Sequence, residues 1–352
     1  MSRRTVASLL GMGLLLALGA ALALIPVPYV TMSPGPTVDV LGESDGQPIV
    51  QVDGHRTYPT DGTLDIVTVL VTNPDARMNL VRALTGWIDP DVAVLPFDSV
   101  YPPGTTAEEE AAQDSAQMVN SQDTAIAAAL TELGYDLSTY AEVTGVSASG
   151  PSGGELKPRD RFVLIDGKRI KSVEELFEVM QGVEPGDTVR GVVRRDGERT
   201  RFSVKTVPSP DDPDQALLGI LVGTGYAFPF DVSVDIDDTI GGPSAGLVFA
   251  VSVYDTLTPG PLLQGGAVAG TGTITADGRV GPIGGIQQKI VAARDAGASL
   301  FLVPPANCDE AMKAPVAPDD IRLVRADTLH SAIDALDAYA EDPSADLPRC
   351  PR

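Results

Sequence analysis

The chain has little of what most metal and histidine chemistry requires. In 352 residues there are two histidines, His55 and His330, and two cysteines, Cys308 and Cys350. The histidines lie far apart, and neither sits in a glycine-rich turn or in a motif with an acidic partner, which argues against a Ser–His–Asp relay. No His-Glu-x-x-His occurs, so nothing points to metal hydrolysis, and the expectation is no metal and no cofactor. Positive charge is also scarce: 25 Lys and Arg face 48 Asp and Glu, a net charge of −23. A phosphate backbone is gripped by clustered Lys and Arg, so nucleic acid is excluded as a partner. The only Gly-Lys pair, Gly167-Lys168, follows no glycine-rich loop, so there is no Walker A motif and no ATP. Both cysteines fall in the last quarter of the chain. In an exported protein they suit one disulfide holding the C-terminal tail; two unpaired thiols are the other reading, because sequence separation does not report Cα distance.

At the N-terminus Arg3 and Arg4 precede an uncharged apolar run over residues 6–25, long enough to cross a bilayer as one helix. The arginines predict a cytoplasmic N-terminus and an exported remainder. A cleaved signal peptide is the rival, with Ala21-Leu22-Ala23 as its cleavage site. Pro26, Pro28, Pro34 and Pro36 then exclude helix and suggest an extended stalk or a segment laid over the domain surface. Residues 62–71 read as a buried strand. Residues 106–133 read as a long helix, capped by Thr105 or Thr106, with Glu108, Glu109 and Glu110 in its first turns. From about 140 to 207 the pattern changes to short strands around one helix, whose start at Ser172 forms a capping box with Glu175. After the proline-rich residues 208–213, residues 230–236 alternate as a strand, 300–304 read as a strand and 331–339 as a helix.

Two stretches carry candidate chemistry. In Gly241-Gly242-Pro243-Ser244-Ala245-Gly246 the glycines and proline force a tight turn into the apolar run Leu247-Val248-Phe249-Ala250-Val251. With Pro243 in the first turn of that helix, Ser244 stands beside unpaired N–H groups at its positive end. Such a place suits a nucleophilic hydroxyl with an oxyanion site, and also suits a plain helix cap. In the second stretch, Pro282-Ile283-Gly284-Gly285 runs into a helix whose Ile286, Ile290 and Ala293 share one face, with Lys289 at its margin. Either that lysine snorkels into water, or apolar neighbours depress its pKa until the neutral amine can take a proton from a serine.

The two stretches, in this order, resemble the proteolytic domain of Lon-type serine proteases, which use a Ser–Lys dyad. The linking Ala269-Gly270-Thr271-Gly272-Thr273-Ile274 and Asp277-Gly278-Arg279-Val280 fit the same family. Gly241-Gly242 replaces the Asp-Gly of Lon itself and is similar to the membrane-anchored, PDZ-containing Lon-like branch. The resemblance implies Ser244 as nucleophile, Lys289 as general base and Thr271 as the lysine's hydrogen-bond partner, with Gly242 and Pro243 supporting the oxyanion site. Asp114-Ser115-Ala116-Gln117 is similar to the first long helix of that fold. Residues 140–207 resemble a bacterial PDZ domain, with Arg159 where such domains carry glycine.

The expected class is therefore α+β: a Lon-type proteolytic domain (a mixed sheet with packed helices), a PDZ-like β module and one N-terminal transmembrane helix. The expected division is 1–28 anchor, 29–135 extended segment and first part of the protease domain, 136–208 PDZ-like domain, 209–341 protease domain with the dyad, and 342–352 tail, the module being an insertion. The implied function is a membrane-anchored, ATP-independent serine endopeptidase. Its partners would be protein or peptide substrates, the lipid bilayer and, by resemblance, further copies in a six-membered ring. A catalytically inactive PDZ-type scaffold is the alternative.

Overall fold

The computed structural model describes residues 3–44, 46–73, 76, 78–101, 107–147, 150–210, 212–237, 240–317 and 319–351, with side chains for all of these but 21–24 and 107–112. The proposed caps Thr105 and Thr106, the side chains of Glu108, Glu109 and Glu110, and the cleavage motif's side chains thus lie outside the described residues.

The chain runs through α1 (Arg3–Leu24), β1 (Tyr29–Asp39), β2 (Val50–Asp53), β3 (Thr63–Val71), α2 (Leu80–Ile88), β4 (Ala93–Pro96) and α3 (Ala107–Glu132). A second group follows: β5 (Ser138–Val146), β6 (Arg161–Ile165), α4 (Val173–Met180), β7 (Thr188–Arg195), β8 (Glu198–Lys205) and β9 (Ile220–Ala227). The last group is β10 (Asp231–Val234), α5 (Gly246–Leu257), β11 (Ala267–Gly270), α6 (Ile286–Asp295), β12 (Leu300–Val303), β13 (Arg322–Arg325) and α7 (Leu329–Glu341).

The central sheet has the order β13-β12-β11-β3-β1-β4. β13, β12, β11 and β3 run parallel to one another, whereas β1 is antiparallel to both β3 and β4. Three of its strands precede residue 100 and three follow residue 266, so each half leaves an open edge without the other. Every residue of β12 is apolar because both of its faces are covered. Leu300 and Leu302 enter the core formed with α3, α5 and α7, while Phe301 and Val303 enter the core beneath α6.

The proline-rich segment is not a surface stalk. It is an interior strand, β1, and the reason is a bulge: the β1–β3 register slips between Pro34 and Thr37, and β4 pairs only as far as Met32. Pro34 and Pro36 therefore sit where no ladder N–H is missed. Gly35 is required there, since a Cβ would fall 2.3 Å from the Thr68 Oγ1.

The second sheet, β8-β7-β6-β5-β9, packs its own core of Phe162, Ile165, Leu176, Val189 and Phe202 against α4. Its first and last strands are antiparallel neighbours with Ser138 opposite Ala227, so the chain enters and leaves this unit at adjacent points. Arg159 has φ +71°, the left-handed conformation that explains why glycine is usual there, and its guanidinium holds Asp123 of α3 at 2.6 Å. β10 lies off both sheets, paired with β2, and leads toward the serine loop.

Within α5 the Asp255 carboxylate is buried; one oxygen accepts the Leu262 N–H and the other has no partner among the described residues. Burial raises its pKa to about 6. Because the folded value exceeds the unfolded one, the destabilising burden is absent below about pH 4 and full above about pH 6. Asp255→Asn is thus expected to stabilise the protein by on the order of 2 kcal/mol at pH 7 and hardly at pH 4, read as the difference in urea midpoint.

Candidate active site

Ser244 is held by the end of β11 rather than by a helical cap. α5 begins at Gly246 with Ala245 as its N-cap, so Pro243 lies before the helix and not in its first turn. The Ser244 carbonyl accepts the Gly272 N–H at 2.8 Å and the Thr271 hydroxyl at 2.9 Å, and Leu247 N–H returns a bond to Gly272 O. Gly246 permits this approach: a Cβ there would stand 3.0 Å from the Ile274 Cγ2 and 3.1 Å from the Ser121 Oγ.

Lys289 reaches the serine from the other face of the loop. Ile286, Ile290 and Ala293 are all buried, as their shared face requires, and Lys289 is buried with them at 3% exposure. Its Nζ lies 2.7 Å from the Ser244 Oγ and 3.2 Å from the Thr271 Oγ1. Burial lowers its pKa from 10.5 to about 8. The Thr271 hydroxyl already donates to the Ser244 carbonyl, so toward Lys289 it can only accept. One amine hydrogen is thereby directed to Thr271, and the nitrogen lone pair of the neutral amine is free to turn toward the serine hydroxyl.

The other expected supports fall differently. The Gly242 N–H donates to the Asp114 carbonyl at 3.2 Å, and Pro243 has no N–H; its carbonyl accepts the Ser121 hydroxyl. Neither residue therefore offers a free N–H to an oxyanion in this structure. A disulfide joins Cys308 to Cys350, with Cα atoms 5.1 Å apart. His55 stacks on Phe230 and pairs with the Tyr135 hydroxyl, and His330 pairs with Glu132. Among the described residues no group of three or more His, Cys, Asp or Glu could hold a metal.

Three residues gave no signal in the sequence of a role beside the dyad. Asn307, just before Cys308, is buried and clamps the loop ahead of α6: it accepts the Ile283 N–H and donates to the Ile283 carbonyl, both at 2.9 Å. Ser121 and Asp114 brace the serine loop from α3. Each acts through a backbone atom more than twenty positions away, and such a contact has no residue-type signature.

A cleft of about 350 Å³ opens onto the dyad, lined by Ile66, Met118, Ile240, Ala245 and the β3 residues from Val67 to Leu70. β11 pairs with β3 only through Ile66, so beyond that point the edge of β3 facing the cleft is unpaired by β11.

Residues 238–336 match the Lon protease (S16) C-terminal proteolytic domain, and residues 116–206 match the PDZ domain. Lon protease 2 of Herpetosiphon aurantiacus is 46% identical over 74 residues, covering 21% of this chain and 9% of that protein. The Lon protease of Campylobacter concisus is 38% identical over 145 residues, covering 40% of this chain and 17% of that protein. The PDZ domain of the SdrC-like protein from Listeria innocua is 25% identical, covering 24% of this chain and 92% of that one, with a TM-score of 0.22. The matched stretches span less than a fifth of these two Lon proteases. The chain carries a Lon-type proteolytic domain, a PDZ domain and one apolar N-terminal helix of membrane-spanning length.

Proposed function

We propose that this protein is a membrane-anchored serine endopeptidase that works without ATP, with Ser244 as nucleophile and Lys289 as general base. The observation that carries this reading is the buried lysine, its pKa near 8, with its Nζ 2.7 Å from the Ser244 Oγ. Neutral Lys289 accepts the hydroxyl proton as Oγ bonds to the scissile carbonyl carbon. The oxyanion forms against the Ser244 N–H and the start of α5. The lysinium then gives its proton to the departing amine, and a water repeats the sequence to release the acyl group. Thr271 touches the lysine and orients its lone pair. An extended substrate laid along the free edge of β3 would pair with it as an added strand and set an apolar side chain against Ile66, Met118 and Ile240.

Residues 29–135 and 228–341 form the protease unit in this reading, with the PDZ-like module inserted between them. Support comes from the sheet order and from the adjacency of Ser138 and Ala227. α1 is the anchor, with the remainder exported and acting on exported or surface proteins.

The test is labelling by a serine-acylating β-lactone followed by peptide mapping. Modification at Ser244, lost in Ser244→Ala and in Lys289→Met, supports the enzyme. A wild-type protein that stays unlabelled at pH 9 is a scaffold.

A further inference from the structure

The surface of α2 departs from the rest of this acidic chain. The helix, Leu-Val-Arg-Ala-Leu-Thr-Gly-Trp-Ile, carries one charge, the cationic Arg82. It buries Ala83 and Gly86, and Gly86 packs so closely that a Cβ would lie 2.8 Å from the Val94 Cγ2 on β4. A second stripe, Val81, Leu84 and Ile88 at i, i+3 and i+7 with Trp87 beside them, is left in the open. Trp87 is 54% and Ile88 83% exposed. A four-residue apolar stripe on one short helix needs an occupant.

The structure also shows where that stripe stands relative to α1. α1 ends at Leu24, and Ile25, itself exposed, is the only residue before the chain is fastened to the start of α2. Pro26 bridges Asn79, the N-cap of α2, and the Val27 N–H donates to the Met78 carbonyl at 2.8 Å. Tyr29 then meets the Trp87 ring edge-on, with centroids 5.6 Å apart. α2 is therefore riveted to the point where a membrane-spanning α1 would leave the bilayer. Tyr and Trp prefer the headgroup level, an apolar stripe flanked by a cation fits anionic lipid, and α2 itself carries no acidic side chain.

We infer that α2 is an interfacial foot: its Val81, Leu84, Trp87 and Ile88 stripe lies in the headgroup region of the bilayer that α1 crosses, and fixes the height and tilt of the protease domain above it. The inference rests on the anchor reading of α1. It gives the short α1–β1 connection a purpose, since a flexible tether would not need a second, rigid contact with lipid.

The chain has a single tryptophan, Trp87, so its own fluorescence reports the position of the foot. The full chain is reconstituted in phosphatidylcholine–phosphatidylglycerol vesicles, floated on a density gradient, and its emission is quenched with acrylamide from water or with acyl-chain-brominated lipid from within. The expected result is co-flotation, blue-shifted emission, strong quenching by brominated lipid and several-fold protection from acrylamide. The variant combining Leu84→Ser and Ile88→Ser should still float but lose the lipid quenching, since both side chains are exposed and the fold does not depend on them. Co-flotation with Trp87 open to acrylamide and untouched by brominated lipid overturns the inference. So does shielding from both quenchers, which means that protein, such as a second copy of this chain, covers the stripe. Failure to float overturns the anchor reading itself and the foot with it, and is distinct from both other outcomes.

Discussion

Replacing Lys289 with methionine is expected to abolish peptidase activity and, in the same variant, to make the protein more stable at pH 7. The activity loss follows from removing the only base within reach of the Ser244 hydroxyl among the described residues, and should be about 10³-fold or more in kcat/KM. Lys289→Arg should be nearly as damaging, because a guanidinium does not lose its proton in this range. The stability gain has the opposite sign to most core substitutions. The folded pKa of about 8 lies below the unfolded 10.5, so the folded protein is penalised for holding the charge. That burden is full below about pH 8 and vanishes as pH rises toward 10.5. At pH 7 methionine removes it at similar volume, for a gain of roughly 2 to 3 kcal/mol, and by pH 10.5 the two proteins should converge. Thermal unfolding at both pH values checks the sign. Equal or lower stability of Lys289→Met at pH 7 would mean that the amine is not desolvated.

A chain that begins at residue 208 is expected to be insoluble, although it contains both dyad residues and the whole of the matched proteolytic segment. It lacks β1, β3 and β4, and so exposes the apolar edge of β11, and it lacks α3, which covers α5 and braces the serine loop through Ser121 and Asp114. The complementary deletion should be tolerated. With Ser138 and Ala227 facing each other on paired strands, residues 138–227 can be replaced by two or three glycines without moving either end. The cut belongs there and not at 140–207, because β9 is the main partner of β5 and would be left without it. The module's removal also breaks the Arg159–Asp123 bridge, a surface pair worth about 1 kcal/mol at most. Solubility, circular dichroism and β-lactone labelling of both variants decide the matter: a soluble, labelled 208–352 fragment would contradict the interleaved sheet.

The long elements were legible because each rests on a pattern within itself. Residues 106–133 and 62–71 emerge as α3 and β3 almost to the residue, since a 26-residue helix and a strand turning fully apolar have no competing reading. The Ser244 and Lys289 motifs were legible as residue types at a spacing. Which of two readings Lys289 takes was not, because it is settled by burial against distant parts of the chain: Ile66, Val67 and Val69 on β3, which line the same cleft, are more than two hundred positions away. The same limit explains the stalk that proved to be β1. Four prolines exclude helix correctly, but the bulge that makes Pro34 and Pro36 acceptable exists only once β3 and β4 are in place. The Gly242 N–H is lost to the oxyanion role through a backbone carbonyl on α3, and a backbone acceptor is invisible in any sequence. Local preference thus reveals elements, and the contacts that give them chemical roles come from the far half of the chain.

Lys289, its pKa lowered to about 8, shares a hydrogen bond with Ser244 and supplies the neutral amine as pH rises through that value. The most direct measurement is the pH dependence of the rate at which the β-lactone acylates Ser244 in the intact protein. A single sigmoid is expected, low at pH 6, with its midpoint near pH 8 and a plateau above pH 9, and no such rise in Lys289→Met. A rate independent of pH across that range, or one that climbs unchanged in the methionine variant, would contradict the assignment of Lys289 as the base.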